Sequence, residues 1–271
     1  PISELQRELG LDRVVKLASN ENPLGAGQKT LEVMQKAIAE VGRYPDGNGF
    51  ELKKAIATHL NVKAEEVTLG NGSNDILELI ARAYVCAADD EVIFSEFAFV
   101  VYPLATQALG ATAVITKSVD FGHDLSAMLS AITKKTKLIF IANPNNPTGT
   151  LLSDTELHDF LSKVPNSIMV VLDQAYFEYL ECEDQAIGWL QEFDNLIITR
   201  TFSKAYGLAG LRVGYSISSA KIADYLNRIR QPFNVNHIAQ TAAVSALTDD
   251  AHLARSVTAN KSGLLQLSQG F

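Results

Sequence analysis

Cysteine is nearly absent: Cys86 and Cys182 stand far apart among 271 residues, in no metal-like pair. A reducing, cytoplasmic setting is the expectation from that usage. The five histidines (His59, His123, His158, His237, His252) have no zinc spacing and are read as surface or packing residues. An excess of basic charge is also missing. The net charge of −8 argues against a nucleic-acid groove or an anionic membrane as the main partner. It leaves room for small anionic ligands, because a pocket needs only one or two local cations. No apolar run approaches the roughly 20 residues of a membrane span, and no basic-then-apolar leader opens the chain. The chain begins at Pro1, so the true start is expected upstream. Internal repeats and low-complexity tracts are lacking.

What is present is an ordinary globular composition, 47% hydrophobic and 20% charged, long enough for one large α/β unit or that plus part of a second. Short β-branched runs alternate with helical stretches. The runs are 67–69, 91–94, 112–116, 138–142, 168–172, 196–199 and 213–217. Those at 138–142 and 168–172 are apolar without alternation, as strands buried on both faces of a mainly parallel sheet should be. Helical patterns fall at 28–41, 50–60, 75–85, 153–163 and 220–228, and Ser153 with Glu156 forms a capping box. The expectation is an α/β fold, a mainly parallel sheet with helices on both faces in three layers. From about Asn236 the pattern is helical, with Leu253, Val257, Leu264 and Leu267 in amphipathic spacing. This reads either as a linking helix towards further structure or as a terminal helix packing back on its own body.

Polar clusters follow three of the buried runs, where ligands bind in open α/β sheets. They are Asn143 to Gly149, Asp173 to Tyr176, and Thr201-Phe202-Ser203-Lys204 with Arg212. A strand-ending Asp, an asparagine loop, and a lysine beside hydroxyls and an arginine suggest one pocket for an anionic, aromatic, carbonyl-bearing ligand. A fourth cluster, Gly70-Asn71-Gly72-Ser73-Asn74-Asp75, follows the first run and opens a helix, so the Ser73 and Asn74 N–H groups would face an anion. Two other motifs fail. Thr201-x-x-Lys204 echoes the Ser-x-x-Lys of penicillin-binding enzymes without the companion Lys-Thr-Gly. The acidic stretch Glu181-Cys182-Glu183-Asp184 is too irregular for a metal loop and reads as solvated surface.

The segment from Thr201 to Gly214, TFSKAYGLAGLRVG, resembles the lysine signature of fold-type-I aminotransferases, enzymes that use pyridoxal 5′-phosphate (PLP). Asn146-Pro147-Thr148-Gly149 and Asp173-x-x-Tyr176 occur in the matching order. Leu17 to Gly25 (LASNENPLG) and Arg43-Tyr44-Pro45-Asp46 are similar to the histidinol-phosphate aminotransferase family, along essentially the whole chain. The resemblance implies Lys204 as the residue that carries PLP covalently, and Asp173 as partner of its ring nitrogen. It implies Asn146 and Tyr176 at the ring's 3′-oxygen. Arg212, Ser203, Thr201 and the Gly72-Ser73-Asn74 turn would hold the phosphate. An aromatic should stack on the ring, Phe99 by spacing to Tyr102, with Phe97 second. Tyr44 would reach the active site of a neighbouring subunit in a homodimer. The organisation implied is an N-terminal arm or small-domain segment over 1–25, a PLP-binding large domain over 26–235, and a helical linker over 236–271 leading to a small domain that is incomplete here. The reaction implied is amino transfer from histidinol phosphate to 2-oxoglutarate in histidine biosynthesis. An aromatic amino-acid aminotransferase, a threonine-phosphate decarboxylase and an inactive PLP-binding fragment are the alternatives.

Overall fold

The computed structural model describes residues 2–180 and 182–271. Nine strands appear among them: β1 Val67–Gly70, β2 Glu91–Ser95, β3 Thr112–Thr116, β4 Ser118–Val119, β5 Gly122–His123, β6 Thr136–Ala142, β7 Met169–Asp173, β8 Leu196–Thr201 and β9 Gly214–Ser218. The helices are α1 Ile2–Leu9, α2 Gln28–Ala37, α3 Phe50–Leu60, α4 Ser73–Tyr84, α5 Val101–Ala108, α6 Leu125–Ser130, α7 Asp154–Lys163, α8 Gln185–Trp189, α9 Ala220–Ile229, α10 His237–Ala246 and α11 Asp250–Gly270. All seven expected runs are strands, with ends shifted by a residue or two.

Seven strands form one sheet in the order β1-β9-β8-β7-β6-β2-β3. Strands β3, β2, β6, β7 and β8 pair in parallel, and β9 is antiparallel to both β8 and β1. The central strands carry unbroken apolar side chains because both faces are covered. Alternation then sends Val170, Leu172 and Ile198 into one core with α3, α7, α8 and α10. Val171 and Ile197 go into a second core with α4, α5 and α9. This is the three-layer arrangement expected, with β4 and β5 as a separate short hairpin.

Local signals account for the helix ends. Ser153 caps α7, its Oγ accepting the Glu156 N–H at 3.3 Å while Glu156 accepts the Ser153 N–H at 2.8 Å. Helix α4 starts at Ser73, two residues earlier than its apolar periodicity suggests, because Gly72 turns the chain directly out of β1. The C-terminal pattern is two helices, parted at 247–249, where Asp249 caps α11. Ala239, Ala242 and Ala243 of α10 lie in the same apolar core as the sheet. In α11 only the start of the apolar stripe docks, Leu253 packing against the core. His252 and Ser256 are its buried residues, while Leu264 and Leu267 are exposed. His252 Nε2 bonds the Gly25 carbonyl at 3.0 Å, and Ser256 Oγ accepts from Asn22 Nδ2 at 2.8 Å, so α11 is tied to the arm by polar contacts.

Candidate functional site

The C-terminal ends of the parallel strands open on one edge of the sheet, and a cleft of about 180 Å³ lies there. It is lined from β1's exit by Ser73 and Asn74, from β6's by Ala142, Pro144 and Asn146, and from β7's by Asp173, Ala175 and Tyr176. From β8's exit come Thr201, Ser203 and Lys204, and Phe99 and Arg212 complete the wall. Arg212 arrives by a different route. Because β9 runs antiparallel, its beginning lies beside the ends of β8 and β1, with Gly214 in register with both Thr201 and Gly70. The residue two before Gly214 is thereby delivered to the strand-end edge.

Asp173 forms the floor. It is 4% exposed; Tyr102 donates to its Oδ2 at 2.8 Å and Thr199 to its Oδ1 at 3.1 Å. Burial pushes its carboxyl above the usual carboxylate range, opposed by those two donors, the Ala175 N–H and the charge of Lys204. A buried carboxylate so supported suits a cationic N–H partner at the cleft floor.

Lys204 faces it across the cleft, Nζ donating to the Ser19 and Asn20 carbonyls at 3.0 and 3.3 Å. Burial lowers its pKa; Glu21 and Asp173 oppose this, whereas Arg212 and Lys16 add to it. A lysine so placed reaches its neutral, nucleophilic form more readily than an exposed one. Tyr176 sits beside it, its hydroxyl accepting from Asn20 Nδ2 at 2.9 Å and Asn146 Nδ2 at 3.2 Å.

The remaining wall is built for an anion. Arg212 holds a left-handed backbone (φ 56°) and Nη1 donates to Ser203 Oγ at 3.3 Å. The first residues of the 12-residue helix α4 have N–H groups that no side chain caps, at the positive end of its dipole. Two glycines make the approach possible. A Cβ on Gly72 would overlap the Arg212 guanidinium, and one on Gly214 would lie 2.5 Å from the Ser73 nitrogen. Guanidinium, helix N-terminus and hydroxyls therefore converge because those side chains are missing. Thr201 also lines the cleft, its Oγ1 accepting the Ser203 N–H at 3.1 Å.

Eleven of the twelve sequence candidates line or shape this cleft: Lys204, Asp173, Tyr176, Asn146, Arg212, Ser203, Thr201, Ser73, Asn74 and Phe99 directly, and Gly72 by the space it leaves. Tyr44 does not; it is 83% exposed and stacks on Phe233 at 4.7 Å. Phe97, the second choice for a stacking ring, packs against Phe121 at 5.6 Å and is not part of the wall. Sequence reasoning missed Tyr102 and Thr199 as supports of Asp173, and the arm carbonyls of Ser19 and Asn20. Their partners lie far away in sequence, so no local signal marks them. The acidic stretch needs a correction as well. Glu181 lies outside the described residues, but Asp184 is not merely solvated: it accepts from Arg200 Nη2 at 2.6 Å, a side chain 3% exposed. Among the described residues no His, Cys, Asp and Glu cluster could hold a metal ion, and no helix is long and apolar enough to cross a membrane.

The cleft can therefore hold a planar ring with a protonated nitrogen over Asp173, an aldehyde near Lys204 and a phosphate against Arg212 and α4. Comparison with known proteins points the same way. The chain is 55% identical to "Histidinol-phosphate aminotransferase 1" of Cupriavidus pinatubonensis, over 100% of this chain and 73% of that protein. It is 56% identical to "Histidinol-phosphate aminotransferase 2" of Pseudomonas aeruginosa, over 100% and 74%. Among solved structures, histidinol-phosphate aminotransferase from Sinorhizobium meliloti in complex with pyridoxal-5′-phosphate superposes with a TM-score of 0.88 at 29% identity, covering 94% of this chain and 70% of that one. A Thermus thermophilus aspartate aminotransferase mutant gives 0.82 at 25%, covering 95% and 70%. A family model described as aminotransferase class I and II matches residues 12–271, and the chain belongs to that family.

Proposed function

We propose that this protein is a PLP-dependent transaminase that moves the amino group of histidinol phosphate to 2-oxoglutarate, giving imidazole-acetol phosphate and glutamate. The observation that carries the chemistry is the convergence of Lys204, buried Asp173 and Arg212 in one cleft at the strand ends. The identity of about 55% to relatives of that name, over the whole chain, supports the substrate.

The residues present fit the cofactor, since Arg212 and the α4 N-terminus, brought together by the lack of side chains at Gly72 and Gly214, form an anion cradle and Asp173 is an acceptor in a dry floor. When bound, PLP supplies an electron sink for the pair released as the substrate's α-proton leaves. Asp173 would keep the ring nitrogen protonated, which its placement, 4% exposed at the cleft floor, favours. Arg212 grips the phosphate with a planar fork, and Ser203, Thr201 and the Ser73 and Asn74 N–H groups add donors. Asn146 and Tyr176 orient the ring at its 3′-oxygen, and Phe99 covers one ring face. Lys204 Nζ would hold the cofactor covalently. With the cofactor present, the Lys204 amine would be the group placed to take and return the substrate's α-proton.

Residues 26–235 are read as the PLP-binding body, 1–25 as an arm over it and 236–271 as the segment leading on towards the small domain. The working unit is read as a cytoplasmic homodimer. Tyr44, exposed like Ile38, Val41 and Phe50 in the same stretch of chain, supports that reading, in which its hydroxyl reaches the partner's phosphate. A substrate panel on the PLP-loaded protein tests the function. Transfer from histidinol phosphate is expected. Transfer only from phenylalanine or tyrosine would make it an aromatic aminotransferase, carbon dioxide release a decarboxylase, and PLP binding without turnover a binding fragment.

A further inference from the structure

Strands β7 and β8 end side by side, and their alternation divides four polar positions between the two faces of the sheet. Asp173 and Thr199 are register partners whose side chains bond on the cleft side. One residue further, Gln174 and Arg200 meet on the opposite face. Arg200 Nε and Nη2 donate to Gln174 Oε1 at 3.2 and 2.7 Å. The same Nη2 donates to Asp184 Oδ2 at 2.6 Å, and the guanidinium carbon lies 4.0 Å from the Phe177 ring centroid. Arg200 is 2% exposed.

One guanidinium thus holds three points of the chain that leaves β7: Gln174, Phe177 and Asp184. Ala175 and Tyr176 lie between the first two. The turn is closed from within by the Phe177 N–H on the Gln174 carbonyl at 3.1 Å, and it is moored to β8 by the Gln174 N–H on the Thr199 carbonyl at 2.9 Å. Arginine suits this position because its edge can bond two acceptors while its flat face covers a ring. A lysine offers a point charge and can satisfy only part of the set. Asp184 supplies negative charge beside the guanidinium, with Glu178 and the Tyr215 hydroxyl also near.

We propose that Arg200 is a positioning residue for the active site: clamped to Gln174, Phe177 and Asp184 on the far face of the sheet, it fixes the turn that presents Tyr176 to the cleft. The proposal rests on the reading of Tyr176 as a donor to the 3′-oxygen of PLP. A hydrogen bond there favours the deprotonated form of the lysine-linked cofactor, so it sets the pH at which the visible absorbance changes.

The test is a spectroscopic pH titration of the full chain loaded with PLP. Arg200→Lys should raise the midpoint by about half a pH unit or more. It should lower kcat severalfold while KM for the amino donor stays within about twofold, since substrate-holding groups are untouched. Tyr176→Phe alone should raise the midpoint too, and in that background Arg200→Lys should add almost nothing, because the clamp acts through Tyr176. Asp184→Asn, at a partly exposed site, loosens one point of the clamp without burying a vacancy. It should give a smaller shift in the same direction, also absent in the Tyr176→Phe background, and it serves if Arg200→Lys does not fold. If Tyr176→Phe moves the midpoint and neither clamp variant does, or if the shifts simply add, the role of Arg200 is overturned. If Tyr176→Phe itself leaves the midpoint in place, the reading of Tyr176 fails and takes the proposal with it.

Discussion

Tyr102→Phe removes one oxygen from a place where its loss can be reckoned. The ring is fully buried, stacked on Phe140 at 4.5 Å and edge-on to Phe99 at 5.9 Å, and phenylalanine keeps both contacts. What disappears is the 2.8 Å hydrogen bond to Asp173 Oδ2. A bond to a charged acceptor is worth about 1.5–3 kcal/mol. That donor opposes the burial that already pushes the Asp173 carboxyl upward, so its loss pushes the carboxyl higher still. A protonated Asp173 cannot balance a protonated ring nitrogen. Turnover should therefore fail earlier as the pH is lowered. At about 1.4 kcal/mol per pH unit, the acid limb of the kcat profile should move up by about one to two units. PLP affinity should change far less, because Arg212 and the α4 N-terminus are intact. The assay is a kcat-against-pH profile of both proteins, with PLP binding measured alongside. Superimposable acid limbs would refute the reasoning, showing that Tyr102 does not govern the charge of Asp173.

Lys204→Ala should abolish borohydride-stable attachment of PLP while leaving non-covalent binding, checked by mass spectrometry of the reduced protein. In the wild-type protein, attachment of PLP to the empty site should accelerate with rising pH and level off below the ordinary lysine value of 10.5, since burial lowers the Lys204 pKa. Gly214→Ala places a methyl 2.5 Å from the Ser73 nitrogen, and the β1–α4 turn must give way. A cost of about 1–3 kcal/mol should appear as a lower urea midpoint together with weaker PLP binding. Glu178 is raised by burial from 4.5 to about 7, with Arg200 opposing and Asp184 adding to the shift. Its folded form holds a proton that the unfolded chain has released, so stability should fall as pH rises from about 4.5 to 7, by up to about 3 kcal/mol. Glu178→Gln should flatten that part of the urea-midpoint profile, and an unchanged slope would exclude the assignment.

Local order determined much of this protein. Apolar runs such as Leu138 to Ala142 read as strands covered on both faces, which they are, and the capping box at Ser153 marked the start of α7 correctly. The order of Asn146, Asp173, Tyr176, Lys204 and Arg212 after successive strands was enough to name a shared pocket, because parallel strands all end on one edge. Tertiary structure decided what depends on direction and distance. Only the antiparallel run of β9 explains why Arg212 stands beside Ser73, since in sequence the two are far apart. Only packing brings Tyr102 to Asp173 and the Ser19 carbonyl to Lys204, contacts that span 71 and 185 residues. The amphipathic spacing of Leu253, Val257, Leu264 and Leu267 left two readings open, and the structure divides them: Leu253 packs against the core while Leu264 and Leu267 stay exposed. Periodicity reports which side chains share a helix face, whereas docking of α11 depends on the polar partners the arm offers to His252 and Ser256.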